Sequence, residues 1–425
     1  MEEDIYRSAE KTIDESLKRI KQRLENAVEV GEEKKKYEMA HNPEMNNALS
    51  IVKHFIIKKK RVCYGGTAMN AILPKEKRFY NPDIDLPDYD FFTPDITSDV
   101  HDLVKELTRN GFKDVHHRLG VHKGTSKILV NFVAIADITT ISAEVYNIFL
   151  KRSVKKEGMH YTDPDILRMM MYLEISRPKG MLSRWDKVFE RLQLINSVFP
   201  PKATAKKHTT QKKKQGIFVE KDIRTTVYDF CIDNQRILLT GELDKYYSIV
   251  IKKKTPNFNL NEATEPIGFI SPEIKLDAKK LQNFLGGPEK CKLFLHKSRG
   301  EIVTEHIEIR HNGKPIVFIL GEAACHAYLN FPLEDGRSIA IASLDTLITI
   351  YYSISIFTTK LKELIPGINS KIAQFIALVE ENRKYKDPNI PSFPMSCRGY
   401  QKGFPTLLRE KAMRIKKARE NIKLL

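Results

Sequence analysis

Apolar residues recur every three to four positions near the start of the chain, which is the spacing of one helix face. This stripe predicts a helix over 4–30. A lysine-rich stretch at 32–36 then predicts a break, and a second helix is expected around 44–58. The residues of the first stripe are Ile13, Leu17, Ile20 and Leu24.

A strand, turn, helix and strand are expected next. The run 61–64 predicts a short strand that ends at a Gly-Gly pair (65–66), and 67–73 is expected to be helical. A loop rich in Pro and Asp (74–87) leads to the run 88–92, which predicts another strand.

The following residues predict a helix and a hairpin. A helix is expected over 99–110. Two β-rich runs, 112–119 and 127–140, flank the basic turn GVHKGT, and this arrangement predicts a hairpin with a basic tip.

Two further helices are indicated by their start signals. Asp163 is placed as N-cap, with Pro164 at the first helical position. Ser183 with Asp186 resembles a capping box at the start of the next helix. The polar, lysine-rich stretch 202–216 has no apolar periodicity and is interpreted as a linker or loop.

The second half mixes expected strands with expected helices. The stretch Ile339–Phe357 contains 19 residues with Asp345 as its only charge, but its Ser and Thr content favours a buried helix over a membrane span. The expected strands are 225–231, 246–252, 302–310 and 315–321, and the expected helices are 341–362, 368–384 and a basic helix at 409–423.

Together these patterns predict an α/β chain in four segments. The segments are an N-terminal helical segment (1–58), a first α/β domain with following helices (59–200), a basic linker (201–216) and a second domain with a basic helical tail (217–425).

Charge adds a constraint on partners. Lys and Arg number 71 against 54 Asp and Glu, a net charge of +17. Such a surplus favours a polyanionic partner, either nucleic acid or an anionic membrane face. The five cysteines are far apart in sequence and form no C-x-x-C pair, so neither a zinc ribbon nor a disulfide framework is expected.

The most informative motif is the Gly-Gly pair followed by Asp88 and Asp90. Residues i and i+2 of a strand project to one face, so the two carboxylates can point at one site. Two divalent ions would relieve their repulsion and serve in-line attack on an α-phosphate. The backbone N–H groups of Gly65 and Gly66 can approach phosphates, beside the Thr67 hydroxyl at a helix start.

A third carboxylate is expected from Asp137, a lone acid within an apolar β-run, because an unpaired buried carboxylate is costly. The alternative is that Asp137 ends the strand and caps a turn at 139–140. Asp83 and Asp85 form a rival pair in the 74–87 loop. Asp88 and Asp90 are preferred because Phe91-Phe92 continues as a strand.

GGT, PDYDFF and ADIT, followed by YTDPDILRMMMYLEISRPKGMLSRWDKVFERLQLIN, resemble the poly(A) polymerase catalytic subunits of large DNA viruses, densest over 60–200. The sequence is most similar to the giant-virus (mimivirus-like) branch and more distantly to the poxvirus enzyme. The resemblance implies a DNA-polymerase-β-like nucleotidyltransferase domain, and an internal repeat, described below, predicts a second, degenerate nucleotidyltransferase-like domain after it. The resemblance also implies AMP transfer from ATP to an RNA 3′ end.

By motif, the resemblance assigns the aspartates at 88, 90 and 137 to metal binding and catalysis, with two Mg²⁺ or Mn²⁺ ions. It assigns Gly65, Gly66 and Thr67 to the triphosphate. Apart from the resemblance, Lys155 is expected to bind the nucleotide, and its basic cluster is a candidate for the RNA path.

The expected partners are ATP and an RNA 3′ end or poly(A) tail, with no membrane. A homodimer or a separate processivity subunit is the expected aid to elongation. The expected location is the cytoplasmic viral factory of the host, with packaging in the virion. The alternatives are a uridylyl- or CCA-adding enzyme, or a non-catalytic RNA-binding subunit of the same fold.

A weak internal repeat is also suggested. CYGGTAMNAIL (63–73) aligns with ILGEAACHAYL (319–329), and DPDILRMMMYLEIS (163–176) aligns with SLDTLITIYYSIS (343–355). In this alignment the second copy lacks the D-x-D, so it is expected to be catalytically inactive.

Overall fold

The structure is a computed structural model of the 425-residue chain. It describes residues 2–81, 83–201, 219–241, 243, 246–247, 265–300, 302–333, 335–385 and 390–423. The expected linker (202–216) and most of the expected strand 246–252 lie outside these ranges. The chain forms two compact units: unit 1 comprises 1–118, 125–139 and 155–160, and unit 2 comprises the remainder.

The first half contains seven helices and seven strands in the described ranges. In chain order they are α1 (Glu2–Ala40), α2 (Pro43–Lys58), β1 (Val62–Cys63), α3 (Gly65–Ile72), β2 (Tyr89–Thr93), α4 (Ile96–Arg109), β3 (Val115–Leu119), β4 (Thr125–Val130), β5 (Val133–Thr140), α5 (Ala143–Arg152), β6 (Val154–Lys156), β7 (Met159–Tyr161), α6 (Pro164–Ile175) and α7 (Trp185–Val198).

The second half continues the series, all of it within unit 2. Its elements are α8 (Lys221–Asp233), β8 (Ile237–Leu238), β9 (Ile267–Ser271), α9 (Ile274–Phe284), α10 (Gly287–Lys290), β10 (Cys291–His296), β11 (His306–His311), β12 (Lys314–Gly321), β13 (His326–Pro332), β14 (Ser338–Ala342), α11 (Leu344–Phe357), α12 (Thr359–Glu363), α13 (Ile368–Tyr385), β15 (Cys397–Arg398) and α14 (Phe404–Lys423).

The strands form two sheets with the same topology. The first sheet has the order β3-β4-β5-β2-β1-β7-β6, and the second has the order β10-β11-β12-β9-β8-β14-β13-β15. Each position of the first sheet therefore has a counterpart in the second, which carries β15 as an extra edge strand. The mixed α/β class expected from the sequence is confirmed.

Matching side-chain contacts accompany the matching topology. In unit 1, Arg61 Nε and Nη2 donate to Asp99 at 2.6 and 2.9 Å. In unit 2, Arg236 makes the same two bonds to Asp277 at 2.6 and 3.0 Å. Both aspartates are fully buried, so each arginine supplies the paired charge that burial requires.

The expected pairing of the two halves was wrong in detail. Residues 63–73 form a strand and a helix, whereas 319–329 run from one strand into another. The structural counterpart of 61–99 is 236–277. The two halves share a fold but few identical side chains. A comparison of short apolar stretches in the sequence therefore matched segments that do not correspond in the structure.

The helix start at Asp163 is confirmed: its side chain accepts hydrogen bonds from the backbone N–H groups of Asp165 and Ile166. The capping box at Ser183 is wrong, because a 3₁₀ turn spans Leu182–Arg184 and the helix begins at Trp185 without a side-chain cap.

Buried charges hold the helices of unit 2. Helix α6 packs against α11. The fully buried Arg168 donates to Asp165 at 2.6 Å, to the Tyr352 hydroxyl at 3.0 Å and to Asn196 at 2.7 Å. These bonds satisfy a guanidinium that could not otherwise be buried.

Three other expectations need correction. The break at 32–36 is absent because α1 continues through it; Glu and Lys are good helix formers there. The expected strand 225–231 lies in α8, whose buried Ile223, Val227 and Phe230 follow helical spacing. The run 127–140 is two strands, joined at Asn131 and Phe132.

The stretch 339–357 belongs to strand β14 and the buried helix α11, so burial is confirmed although only its second part is helical. No helix in the described ranges is long and apolar enough to cross a bilayer.

The absence of a disulfide was also a wrong expectation. Cys325 and Cys397 are bonded, with Cα atoms 5.5 Å apart, although 72 residues separate them in sequence. β13 pairs with β15 beside them and brings the two together. Distance along the sequence therefore gave no guide to distance in space.

Candidate active site

The Gly-Gly turn and the first aspartate pair meet at β1, β2 and the start of α3. The Tyr64 N–H donates to the Asp90 carbonyl at 2.9 Å, which joins the end of β1 to β2. Gly65 has φ +72°, and a Cβ added there would lie 2.5 Å from Asp90 Oδ2. The position therefore requires glycine for its conformation and for the space that the carboxylate occupies.

Gly65 and Gly66 are the first two residues of helix α3. Its N-cap residue, Tyr64, makes no side-chain capping bond. The first N–H groups of a helix have no partner within the helix and attract anions. The Thr67 hydroxyl donates to the Asp88 carbonyl oxygen at 2.7 Å. In this conformation the Thr67 hydroxyl therefore binds the backbone of Asp88.

The third aspartate, Asp137, lies on β5, which neighbours β2 in the sheet. Its Oδ2 accepts a hydrogen bond from Lys127 Nζ at 2.5 Å, across the β4–β5 hairpin, where the two residues are Cα partners. Its Oδ1 is buried and has no hydrogen-bond partner. Lys127 was not identified from the sequence, although its position in β4 opposite Asp137 follows from the hairpin register.

The negative charges of the aspartates raise the pKa values of neighbouring groups at the site. The pKa of Asp88 is raised, first by partial burial and then by the negative charge of Asp137, while Lys127 opposes the shift. The pKa of Tyr64 is also raised, first by burial and then by Asp90, with smaller contributions from Asp137 and Asp88. All three carboxylates therefore lie near the Tyr64 phenol.

Hydrogen bonds between hydroxyl groups connect strands beside the aspartates. The Tyr64 hydroxyl and Thr139 Oγ1 are 2.8 Å apart, and Thr139 Oγ1 lies 3.0 Å from Thr125 Oγ1. The Tyr64 ring stacks on Phe92 with centroids 4.0 Å apart. These contacts connect β1, β4 and β5, and they were not foreseen because each joins residues remote in sequence.

The rival aspartates lie in a separate turn. The Asp85 carboxylate accepts a hydrogen bond from the Asn81 N–H at 2.9 Å, and Asn81 Oδ1 accepts one from the Asp83 N–H. Lys155 is exposed on β6, the edge strand three positions from β2 in the sheet order. The structure thus groups Asp88, Asp90 and Asp137 and shows no contact from Asp83, Asp85 or Lys155 to them.

Divalent ions fit this cluster by the chemistry of its donors. Asp90 on β2, Asp88 directly before it and Asp137 on β5 carry the oxygen ligands that Mg²⁺ and Mn²⁺ prefer, and Asp137 Oδ1 is a buried acceptor without a partner. As the side chains are placed in the described ranges, however, no group of three His, Cys, Asp or Glu residues could hold a metal ion. The Lys127 ammonium supplies positive charge to the cluster instead.

The second sheet lacks this chemistry at the corresponding positions. The Leu239 N–H donates to the Gly268 carbonyl at 2.7 Å, as Tyr64 does to Asp90, so Gly268 stands where Asp90 stands. The β4–β5 and β11–β12 hairpins each have a register shift, which serves as a common reference point. The Lys127–Asp137 pair and the Glu308–Phe318 pair are each separated from that shift by one further pair, so they correspond. A Cβ on Gly268 would lie 2.1 Å from the Phe318 ring. An aromatic ring thus fills the space against the Asp90 counterpart.

Two mixed sheets of this topology, one with clustered carboxylates beside a Gly-Gly turn, define a nucleotidyltransferase fold. The solved structure of the Megavirus polyadenylate synthase supports this class, with a TM-score of 0.75 over 96% of this chain and 84% of that one, at 18% identity.

Sequence comparison narrows the class. Residues 50–181 match the family model described as poly(A) polymerase catalytic subunit. A protein of that description from African swine fever virus (isolate Pig/Kenya/KEN-50/1950) is 28% identical over 180 residues, which span 41% of this chain and 38% of the relative. One from Acanthamoeba polyphaga mimivirus is 31% identical over 157 residues, 36% of this chain and 26% of that protein.

The resemblance to viral poly(A) polymerase catalytic subunits is therefore confirmed over the segment that carries the aspartates. The chain spans well under half the length of these relatives.

Proposed function

We propose that this chain transfers AMP from ATP to the 3′-hydroxyl of an RNA, without a template. The observation that carries the proposal is the cluster of Asp88, Asp90 and Asp137 beside the Gly-Gly turn. It lies within residues 50–181, the segment that matches the family model.

The residues of the cluster divide the work. The three aspartates would hold two divalent ions, Mg²⁺ or Mn²⁺, which when bound activate the hydroxyl and neutralise the triphosphate. The N–H groups of Gly65 and Gly66 at the start of α3 would bind phosphate oxygens.

Residues around the aspartates would hold the three carboxylates in position. Thr67 holds the Asp88 backbone, and Tyr64 with Thr139 joins β1 to β5. Lys127 balances the charge of Asp137. Such positioning supplies most of the catalysis in phosphoryl transfer, since the reaction needs no protein nucleophile.

Primer extension tests the proposal. A labelled oligo(A) primer would be incubated with each NTP separately in Mg²⁺ or Mn²⁺, and extension is expected with ATP. Asp88→Asn, Asp90→Asn and Asp137→Asn should each lower the rate at least about 100-fold, because each removes a metal ligand. Asp83→Asn is the matched control and should extend normally.

The results distinguish the alternatives. Preference for UTP or CTP would indicate another terminal nucleotidyltransferase. RNA binding without extension by any NTP would indicate a non-catalytic subunit. Loss of activity in Asp83→Asn, with normal activity in Asp88→Asn, would move the metal site to the rival pair.

The remaining assignments extend this proposal. We propose that the second domain (217–425) serves as scaffold or RNA-binding surface, and that Lys155 contacts the nucleotide. Elongation would depend on a homodimer or on a separate processivity subunit, and the mass of the protein with and without oligo(A) distinguishes the two. The cytoplasmic viral factory, and packaging in the virion, are the proposed locations.

A further inference from the structure

The β4–β5 hairpin carries an aromatic side chain where its backbone favours glycine. Asn131 and Phe132 form the two-residue turn with φ +49° and +64°. Two-residue turns of this kind require positive φ at both positions and favour Asn-Gly. For a bulky residue this region is uncommon and costs conformational free energy.

The molecule builds the same turn with glycine elsewhere. The counterpart in the second sheet, between β11 and β12, is Asn312 and Gly313, with φ +49° and +79°. The β6–β7 turn uses Glu157 and Gly158. The fold therefore does not need an aromatic residue at this position. A role outside folding must offset the conformational free energy that Phe132 costs.

Phe132 is not part of the core. Its side chain is 67% exposed, and it packs on the exposed ring of His116 with centroids 5.3 Å apart and an interplanar angle of 31°. The pair forms an open aromatic surface at the hairpin tip. We call it the 116/132 platform.

The platform lies on the same face of the sheet as the aspartate cluster. His117 Nε2 is 3.1 Å from Ser126 Oγ, so those two side chains share one face. Alternation along β3 and β4 then places His116 and Arg118 on the other face, with Lys127. Lys127 binds Asp137 on that face.

The separation suits a bound single strand. From Asp137 to Phe132 the chain runs five positions, and because β5 has a bulge at residue 135 the separation is about 15 Å at the rise of a strand. That distance is about four nucleotides at the spacing of stacked bases. Bases stack on aromatic side chains irrespective of sequence, and neighbouring cations bind the phosphates.

We propose that the 116/132 platform stacks a base of the RNA substrate about four nucleotides from its 3′ end. This inference rests on the proposed function for the identity of the substrate. It adds a recognition site on unit 1 that is separate from the aspartates, with Arg118 as the neighbouring cation.

The test measures RNA affinity without requiring catalysis. Fluorescence anisotropy would give the Kd of a labelled A15 RNA for the wild type, Phe132→Gly, Phe132→Trp and His116→Ala. Phe132→Gly should raise the Kd about tenfold, the effect of losing one stacked base. Its melting temperature should not fall, because glycine suits the turn. Phe132→Trp should retain the affinity.

A control and a position-specific probe complete the design. Tyr37→Ala removes a ring that is 53% exposed on α1 and stacks on His41, and it should leave the Kd unchanged. 2-Aminopurine placed four nucleotides from the 3′ end should be quenched by the wild type, and Phe132→Gly should remove that quenching.

An unchanged Kd in Phe132→Gly would overturn the inference and assign the platform to a different partner. An equal loss in Tyr37→Ala would overturn it too. The proposed function fails separately, if the wild type binds A15 but extends it with no NTP.

Discussion

Gly65→Ala should separate catalysis from folding more sharply than removal of a carboxylate. The added Cβ would lie 2.5 Å from Asp90 Oδ2, whereas ordinary contact begins at 3.4 Å. The carboxylate must therefore retreat by up to 0.9 Å (3.4 − 2.5) or turn to another rotamer. A displacement of about 1 Å at a reacting centre can cost about 100-fold in rate.

The stability cost should be modest by comparison. Alanine at φ +72° loses about 1 kcal/mol relative to glycine. Gly287→Ala is the matched control, because Gly287 has φ +73° and nothing within 4 Å of an added Cβ. It should show the same loss of stability with unchanged activity.

The assay combines single-turnover extension of oligo(A) with urea unfolding. Gly65→Ala should reduce the rate about 100-fold at saturating ATP and RNA, while both variants unfold at similar urea concentrations. A Gly65→Ala rate within threefold of the wild type would refute the reasoning. It would mean that the Asp90 position seen here does not set the rate.

Three predictions concern unit 2. Gly268→Ala should destabilise the protein by about 1–3 kcal/mol, because its Cβ would meet the Phe318 ring at 2.1 Å. Combining it with Phe318→Leu should cost less than the sum of the two changes. Burial, with Arg177 nearby, lowers the pKa of His326 to about 4, so stability should be full above pH 6.5 and fall as the pH drops toward 4. His326→Gln should remove up to about 3 kcal/mol of that acid sensitivity. Reduction of the Cys325–Cys397 bond, which spans 72 residues, should lower unfolding free energy by about 4 kcal/mol.

Each of these has a control. Strictly additive effects in the double variant would show that the ring does not meet the new methyl group. An acid-unfolding curve shared by His326→Gln and the wild type would contradict the histidine argument. A variant with serine at both cysteines should be insensitive to dithiothreitol, and sensitivity there would mean that another thiol is responsible.

Features encoded over a few consecutive residues were predictable from the sequence. Asp163 and Pro164 start α6 through a cap that involves only their neighbours. The strand that carries Asp90 was also predictable, although β2 begins at Tyr89 and Asp88 directly precedes it. The Gly-Gly turn was recognisable for the same reason.

Features that depend on register or tertiary contact were not. Lys127 meets Asp137 because of the β4–β5 register, and the turn that sets this register has Phe where glycine would have signalled it. The residues of α8 include β-branched and aromatic side chains, and burial of one helical face overrides their strand preference. The true internal correspondence rests on backbone geometry and the two Arg–Asp pairs, which sequence similarity does not report.

The contact between Gly268 and Phe318 also limits which substitutions the second domain can accept. A carboxylate at residue 268 would collide with the ring, and loss of the ring alone would leave a cavity in the core. Each change made alone should therefore lower stability, so a carboxylate at residue 268 would need a smaller side chain at residue 318 as well. The core packing of the second sheet therefore disfavours a carboxylate at the position that corresponds to Asp90.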